Sequence, residues 1–387
     1  MSTTVPAFEE ALRRLIAAPS VSCLDPALDQ SNRAVVDLLA QWLQDLGLSV
    51  EIMPVAESPE KVNLIARTGA GADGLVLAGH TDTVPYNADQ WEQDPFTLTQ
   101  RDGRYYGLGT SDMKGFFAIV LDVLRETDLA RLQRPLCVLA TCDEESNMSG
   151  AKALVERGVA PGRYALIGEP TGLTPIRLHK GVLFEKIMLT GRAGHSSDPG
   201  MGVNALEGMN RIMNGLLEWR RTLQAREENA AFRVPVPTLN LGSIHGGDNP
   251  NRICAECTLT LDVRLLPHMV IEETRAELRE VARRAIAGSG MQVEFDCIFP
   301  GTPGMLTDAD AEIVRVAEQL SGRSAGSVAF GTEGPYFNSL GMQTVVLGPG
   351  DIDQAHCANE YLGLDRIEPM RRIVQGMINH FCGNQGD

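Results

Sequence analysis

Apolar residues along the chain follow two different periods. Helical spacing predicts four early helices, at residues 6–17, 31–46, 114–125 and 149–157. Short apolar runs predict strands between them, at residues 48–53, 62–67, 75–79, 135–141 and 164–168. Because strands alternate with helices, we expect an α/β domain whose mixed, mainly parallel sheet is flanked by helices.

The pattern changes in the middle of the chain. In residues 182–299, two helices and four strands follow the order βαββαβ, which predicts a compact two-layer α+β unit. The first pattern returns with a predicted helix at 308–320 and continues to a last predicted helix at 367–381. We therefore predict a discontinuous first domain, residues 1–181 and 300–387, into which the second domain, residues 182–299, is inserted.

The composition narrows the classes of partner. A chain of 387 residues exceeds the usual size of a single core, and 43% hydrophobic residues suffice for two. The formal net charge is −16 and the basic residues are scattered, which disfavours nucleic acid and anionic membranes as partners. Eight cysteines without the density of a disulfide scaffold, and a start without a signal segment, favour a reduced, cytoplasmic protein.

The segment 75–82, LVLAGHTD, ends an apolar run with a histidine and an aspartate. Because side chains alternate along a strand, His80 and Asp82 should leave its C-terminal end on one face. Open α/β sheets bind their ligands at this edge. A histidine there can bind a metal through one ring nitrogen while a carboxylate holds the other. Alone, the triplet is more typical of an ordinary polar loop.

Further acidic and imidazole side chains lie where other strands are predicted to end. They are Asp112, the adjacent Glu144 and Glu145, Glu169, and His356. Taken singly, they are typical of a helix cap or of solvated turns. Together they indicate one site, because the ends of parallel strands lie along a single edge of a sheet.

This edge offers five side chains suited to metal binding: His80, Asp112, Glu145, Glu169 and His356. Divided between two cations, they give each one histidine and one carboxylate, with one carboxylate shared. Such ligands suit Zn²⁺, and less specifically Co²⁺ or Mn²⁺. Two metals roughly 3.5 to 4 Å apart can activate water and polarise a carbonyl. Glu144, next to a ligand, is then the candidate general base.

Several motifs resemble the M20 family of metallopeptidases, with its dinuclear zinc amidohydrolases, and the resemblance covers essentially the whole chain. The motifs are GHTDTVP, YGLGTSDMKGFFA, ATCDEE, IGEPT, GHSSDP and DQAHCANEY. The resemblance implies a catalytic metal-binding first domain and an inserted lid or dimerisation domain. It also implies two divalent metal ions, Zn²⁺ or alternatively Co²⁺, and a homodimer.

The resemblance assigns metal-binding roles to matching positions. It implies that Asp112 bridges the two metals. His80 and Glu169 would complete one metal site, and Glu145 and His356 would complete the other.

The resemblance also assigns supporting roles at the same edge. Asp82 would orient His80, and Glu144 would act as the catalytic acid and base. The peptide bond between Asp112 and Met113 is expected to be cis.

Residues outside this edge also match functional positions of the family. His195, in RAGHSSDP, would reach from the inserted domain into the site of a second subunit and hold the oxyanion, although the residue alone is typical of a polar loop. Asn251 and Arg264 would contact the substrate, and Arg264 is also consistent with a surface ion pair. As a hypothesis, Glu333 binds the side-chain ammonium of an ornithine-like substrate.

The expected activity is metal-dependent hydrolysis of the acetyl amide of N2-acetyl-L-ornithine to L-ornithine and acetate, a step of arginine biosynthesis. Within the family, the resemblance to enzymes of this activity is most specific in TDTVPYNADQWEQDPFTLT, LNLGSIHGGDNPNRICAEC and VLGPGDIDQAHCANEYL. The alternatives are desuccinylation of succinyl-diaminopimelate, hydrolysis of another acylamino acid, or hydrolysis of dipeptides. A non-catalytic metal-binding relative is disfavoured, because every ligand and the general base are present in the sequence.

Overall fold

The computed structural model describes residues 5–55 and 58–383, and the side chains of all of these except residues 58 and 59. The described chain divides into two compact units. The first unit runs to Arg177, returns at Leu306–Gly326 and resumes from Thr332; the second comprises Leu178–Met305 and Ser327–Gly331. The domain limits drawn from the sequence, 181/182 and 299/300, stay predictions.

Helices and strands alternate along much of the described chain. The α-helices are α1 (Phe8–Ile16), α2 (Arg33–Asp45), α3 (Lys114–Glu126), α4 (Ser149–Glu156), α5 (Ala205–Arg226), α6 (Ile271–Ala285), α7 (Glu312–Ser321), α8 (Gly334–Ser339) and α9 (Leu364–Cys382). The strands are β1 (Ser49–Val55), β2 (Ser58–Arg67), β3 (Leu75–His80), β4 (Thr99–Arg101), β5 (Arg104–Tyr106), β6 (Leu136–Thr141), β7 (Tyr164–Ile167), β8 (Ile176–His179), β9 (Gly181–Thr190), β10 (Gly194–His195), β11 (Thr238–Gly246), β12 (Arg252–Ile253), β13 (Glu256–Leu265), β14 (Gln292–Thr302), β15 (Met305–Leu306), β16 (Gly326–Val328), β17 (Gln343–Val346) and β18 (Tyr361–Gly363).

The central sheet of the first unit contains the strand order β1-β2-β6-β3-β7-β17. The strands β6, β3, β7 and β17 are parallel to one another, and β1 and β2 are antiparallel at one edge. Every residue of β3, β6 and β7 is buried, as expected for parallel strands covered on both faces. The predicted mixed, mainly parallel sheet is therefore confirmed.

The second unit has a sheet of its own, with the antiparallel order β11-β13-β9-β14. Its main elements follow the order β9, α5, β11, β13, α6, β14, which confirms the predicted βαββαβ pattern. Buried and partly exposed residues alternate along β13, and its buried row packs with α5 and α6 in one hydrophobic cluster. The unit thus has a separate core.

Several short elements of the described chain differ from the prediction. A small sheet of β18, β5 and β4 was not predicted, because three-residue strands are too short to show a period. The helix expected at 308–320 begins only at Glu312. No helix in the described part of the chain combines the length and the apolar character that a membrane crossing needs.

Candidate metal centre

The parallel strands β3, β6 and β7 bring four of the predicted site residues to one edge. His80, the last residue of β3, pairs in register with Thr141 at the end of β6, and Ala78 pairs with Ile167 at the end of β7. The chain leaving β6 carries Glu144 and Glu145, and the chain leaving β7 carries Glu169. The register therefore brings distant parts of the sequence together, as expected for parallel strand ends.

His80 is fully buried between acidic groups. Its Nε2 lies 3.1 Å from Asp112 Oδ1 and 3.7 Å from Glu169 Oε1. Its Nδ1 lies 3.0 Å from the main-chain oxygen of Asp82 and 3.7 Å from Asp82 Oδ1. A hydrogen on Nδ1 therefore points at Asp82, chiefly at its carbonyl, and Nε2 is left facing the two carboxylates as a ligand for a cation.

His356 makes the corresponding contacts on the other side of Asp112. Its Nε2 lies 2.9 Å from Glu145 Oε2 and 3.6 Å from Asp112 Oδ2. The two oxygens of Asp112 thus face different histidines, which is the arrangement required of a bridging carboxylate. The peptide bond between Asp112 and Met113 is cis, as expected.

Two overlapping groups of potential ligand atoms converge within 4.8 Å among the described residues. One consists of His80, Glu144 and Glu169, and the other of His80, Asp112 and Glu145. Glu144 is therefore beside the ligand atoms on the Glu169 side, and its side chain is only partly buried. This position is suited to a base that acts on a water molecule near the metals.

The electrostatics of the edge favour bound cations. Burial and the charge of Glu169 raise the pKa of Glu144 well above its usual value, and burial raises the pKa of Glu145 to about 7. Burial lowers the pKa of His80, but the charge of Glu169 and the bond to Asp112 outweigh it and raise that pKa well above its usual value. These shifts reflect anions crowded in a buried site, which divalent cations would relieve.

Unpaired oxygens and the donor set also fit a two-metal centre. Within residues 5–55 and 58–383, the buried Oε1 of Glu169 and Oδ1 of Asp82 have no hydrogen-bond partner. Buried oxygens of this kind are costly unless a donor or a cation satisfies them. Imidazole nitrogens combined with carboxylate oxygens are ligands that Zn²⁺ accepts.

Two polar contacts that support this edge were not foreseen from the sequence. The carboxyl group of Glu360 accepts hydrogen bonds from the main-chain N–H groups of Ser111 and Asp112. Lys61, in β2, forms a buried ion pair with Asp143, which directly precedes Glu144. For Glu360 a signal was present, since it lies four residues after His356; Lys61 stands in an ordinary strand with no local sign of a role.

Of the three site residues predicted in the second unit, His195 and Asn251 lie in neighbouring segments. His195 is exposed on β10, which pairs with β12, and its Nδ1 lies 2.7 Å from Ser197 Oγ. The carbonyl of Asn251 accepts a hydrogen bond from the N–H of Ser196, so Asn251 neighbours His195. Arg264 faces away from the buried row of β13 and forms an ion pair with Asp262 at 3.0 Å.

Glu333 lies in the first unit and is completely buried. Its Oε2 accepts a hydrogen bond from Thr141 Oγ1 at 2.8 Å, and burial raises its pKa to about 8. Its Oε1 is buried without a hydrogen-bond partner among the described residues. Glu333 therefore adjoins the end of β6, and its role toward an ammonium group stays a prediction.

Sequence comparisons identify relatives of the whole chain. The model of peptidase family M20/M25/M40 matches residues 76–380. The acetylornithine deacetylase of Edwardsiella ictaluri is 48% identical over 382 residues, which are 99% of this chain and 100% of that protein. The acetylornithine deacetylase of Klebsiella pneumoniae is 46% identical with the same coverage.

Solved structures share the fold at low identity. An M20 family metallo-carboxypeptidase from Sulfolobus solfataricus has a TM-score of 0.77 at 17% identity, over 97% of this chain and 99% of that one. A tripeptidase from Staphylococcus aureus has a TM-score of 0.75 at 20% identity, over 97% of both chains. The YXEP protein of Bacillus subtilis, described as a dinuclear metal binding peptidase, has a TM-score of 0.66 at 18% identity, over 97% of both chains.

Proposed function

Because the chain belongs to peptidase family M20/M25/M40 and is therefore a hydrolase, we propose that it removes the acetyl group of N2-acetyl-L-ornithine, giving L-ornithine and acetate. The observation that carries the proposal is the convergence of imidazoles and carboxylates at the sheet edge, with Glu144 beside them. The substrate is supported by 45 to 48% identity to relatives named acetylornithine deacetylase. A place in arginine biosynthesis and a cytoplasmic location are part of the proposal.

The metal ligands are proposed as follows. Asp112 would contact both ions, His80 and Glu169 would complete one site, and Glu145 and His356 the other. Divalent cations in such a centre supply Lewis acidity, which lowers the pKa of water and polarises a carbonyl oxygen. Zn²⁺ suits the nitrogen and oxygen donors, with Co²⁺ as the alternative.

Glu144 is proposed to move the proton. It takes a proton from the attacking water as the water oxygen bonds to the acetyl carbon, and it returns that proton to the amine nitrogen as the carbon–nitrogen bond breaks. The convergence of the Glu144 carboxylate with the candidate ligand atoms of His80 and Glu169 supports this role.

The second unit is proposed to supply substrate contacts in a homodimer. His195 of the partner subunit would donate to the oxyanion, and Asn251 and Arg264 would bind the substrate. The exposed ring of His195 supports this role, because Ser197 engages Nδ1 and Nε2 is then the atom that would donate. Loss of one such donor lowers kcat by about 10² to 10³ in comparable sites.

A substrate panel tests the proposal. N-acetyl, N-formyl and N-succinyl amino acids are assayed with the metal-loaded enzyme, with and without chelator. We expect N2-acetyl-L-ornithine to be hydrolysed with the highest kcat/KM, and the activity to vanish with chelator and return with Zn²⁺ or Co²⁺. Faster hydrolysis of succinyl-diaminopimelate would favour the desuccinylase alternative, and no hydrolysis by a metal-loaded, folded enzyme would reject the proposal.

A further inference from the structure

Glu360 is a buried acid that none of the roles above includes. The residue is only 1% exposed to solvent. Oε1 accepts hydrogen bonds from the N–H of Ser111 at 2.7 Å and of Asp112 at 2.9 Å, and Oε2 accepts one from the N–H of Gly109 at 2.9 Å. Both oxygens are therefore committed to the main chain of one short segment, which ends at the shared metal ligand.

The main chain of Glu360 is itself held in place. Its carbonyl oxygen accepts a hydrogen bond from the N–H of Gly107 at 3.1 Å. The next residue begins β18, which pairs with β5 just before that glycine. Glu360 therefore contacts the segment 107–112 at both ends, through its carbonyl at Gly107 and through its carboxylate at residues 109–112.

The same contacts join two metal-binding loops. Glu360 lies four residues after His356, so the loop that carries this ligand ends on the segment that carries Asp112. A second link lies near the start of that loop, where the hydroxyl of Ser111 accepts a hydrogen bond from the N–H of Asp351 at 2.9 Å. Movement of either loop would change the distance between Asp112 Oδ2 and His356 Nε2.

We propose that Glu360 is a positioning residue of the metal centre: its carboxylate fixes the main chain of residues 109–112 so that the two oxygens of Asp112 face different metal sites. This inference rests on the proposed metal centre. It differs from a general contribution to stability, because it requires that replacing Glu360 lower the metal affinity of the folded protein. Hydrogen-bond partners of metal ligands typically contribute 10- to 100-fold to metal affinity.

A pair of isosteric variants separates the two roles. In Glu360→Gln, one carboxylate oxygen becomes an NH₂ group that faces main-chain N–H donors, so at least one of them loses its acceptor. The matched control is Glu185→Gln, which also neutralises a fully buried glutamate, but in the second unit, where Glu185 pairs with Arg275 and Arg279. Glu360→Asp keeps the charge and shortens the reach by one methylene.

The readout is the affinity of each metal-free protein for Zn²⁺ and for Co²⁺, by competition with a chromophoric chelator, together with its thermal unfolding. We expect Glu360→Gln to bind both metals about 10 to 100 times more weakly. Glu360→Asp should show a smaller loss, and Glu185→Gln should unfold at lower temperature while binding metal like the wild type.

The inference is overturned if Glu360→Gln binds metal like the wild type, or if Glu185→Gln loses as much affinity. Should Glu360→Gln fail to fold, wild-type affinity in folded Glu360→Asp overturns it equally. If the wild-type chain binds neither metal, the proposed metal centre itself is rejected, which is a different result from a wild type that binds and a Glu360→Gln variant that binds equally well.

Discussion

Replacing Lys61 by methionine should strongly destabilise the first unit. Lys61 Nζ lies 2.7 Å from Asp143 Oδ1 and 2.7 Å from Asp29 Oδ1, and its side chain is 3% exposed. Methionine fills a similar volume without the charge, so Asp143, which is 6% exposed, would keep its own charge in a buried position. Removing one partner of a buried ion pair typically costs about 3 to 5 kcal/mol.

The contacts that remain in Lys61→Met place the expected loss near the lower end of that range. The hydroxyl groups of Ser22 and Ser149 still donate to Asp143, at 2.8 and 2.5 Å. The side chain of Asp29 is 30% exposed and is solvated when its partner is lost. We therefore expect the free energy of unfolding of the first unit to fall by about 3 kcal/mol in the metal-free protein.

The pKa of Lys61 predicts how the stability loss in Lys61→Met changes with pH. Burial lowers the pKa of Lys61, but its hydrogen bonds to Asp143 and Asp29 outweigh burial and raise it above 10.5. A pKa that is higher in the folded state means that the stabilisation is complete below pH 10.5 and is lost as the pH rises through the native value. The deficit of Lys61→Met should therefore be constant at neutral pH and shrink only at strongly alkaline pH.

Urea unfolding of the metal-free proteins measures this effect, with hydrogen exchange of β2 and β6 to assign the transition to the first unit. Asp29→Asn is the matched control, because it removes only the more exposed partner and should cost about 1 kcal/mol or less. A loss under 1 kcal/mol in Lys61→Met, or an equal loss in Asp29→Asn, would refute the reasoning.

Three further predictions concern the metal edge. Glu144→Gln should retain both metals, measured by elemental analysis, and lose about 10² to 10⁴ in kcat, and substantial residual turnover would contradict its role as the base. The hydrogen bond to Glu145 raises the pKa of His356 to about 9, and a metal can bind only the deprotonated ring, so metal affinity should rise with pH below that value. Calorimetry in two buffers would detect the released protons, and pH-independent affinity would exclude this. Glu333→Gln should lose the preference for acylated basic amino acids over apolar ones of equal length, and the hypothesis fails if the kcat/KM ratio is unchanged.

The sequence was sufficient for those parts of the fold that repeat a local pattern. The continuous apolar runs of β3, β6 and β7 and the alternation along β13 are visible in the sequence, and they predict strands of the two main sheets. His80, Glu145 and Glu169 could be found because the ends of the parallel strands β3, β6 and β7 share an edge, so that a position near a strand end predicts a position in space. Asp112 and His356 do not directly follow a parallel strand of this sheet.

The contacts of Lys61 and Glu360 with the site could not be predicted in the same way. Lys61 and Asp143 are 82 positions apart, and Glu360 and Asp112 are 248 positions apart. Neither pair leaves a periodic pattern in the sequence, because each contact depends on where a loop meets a distant part of the chain after folding. The burial of Glu333 was also hidden, since an acid ahead of a helix is usual on the surface as well.

The polar groups at the edge of the sheet explain why positions 61 and 360 hold polar side chains. The strands β3 and β6 carry no charged side chain before their C-terminal ends, and candidate ligands follow at those ends. An apolar residue at position 61 would leave Asp143 without a cation, and one at position 360 would leave three main-chain N–H groups without acceptors. The chain instead places a cation beside the loop of Glu144 and a carboxyl group against the loop of Asp112. Directional polar contacts therefore set the geometry of the candidate ligands to a degree that hydrophobic packing, which has no preferred direction, could not.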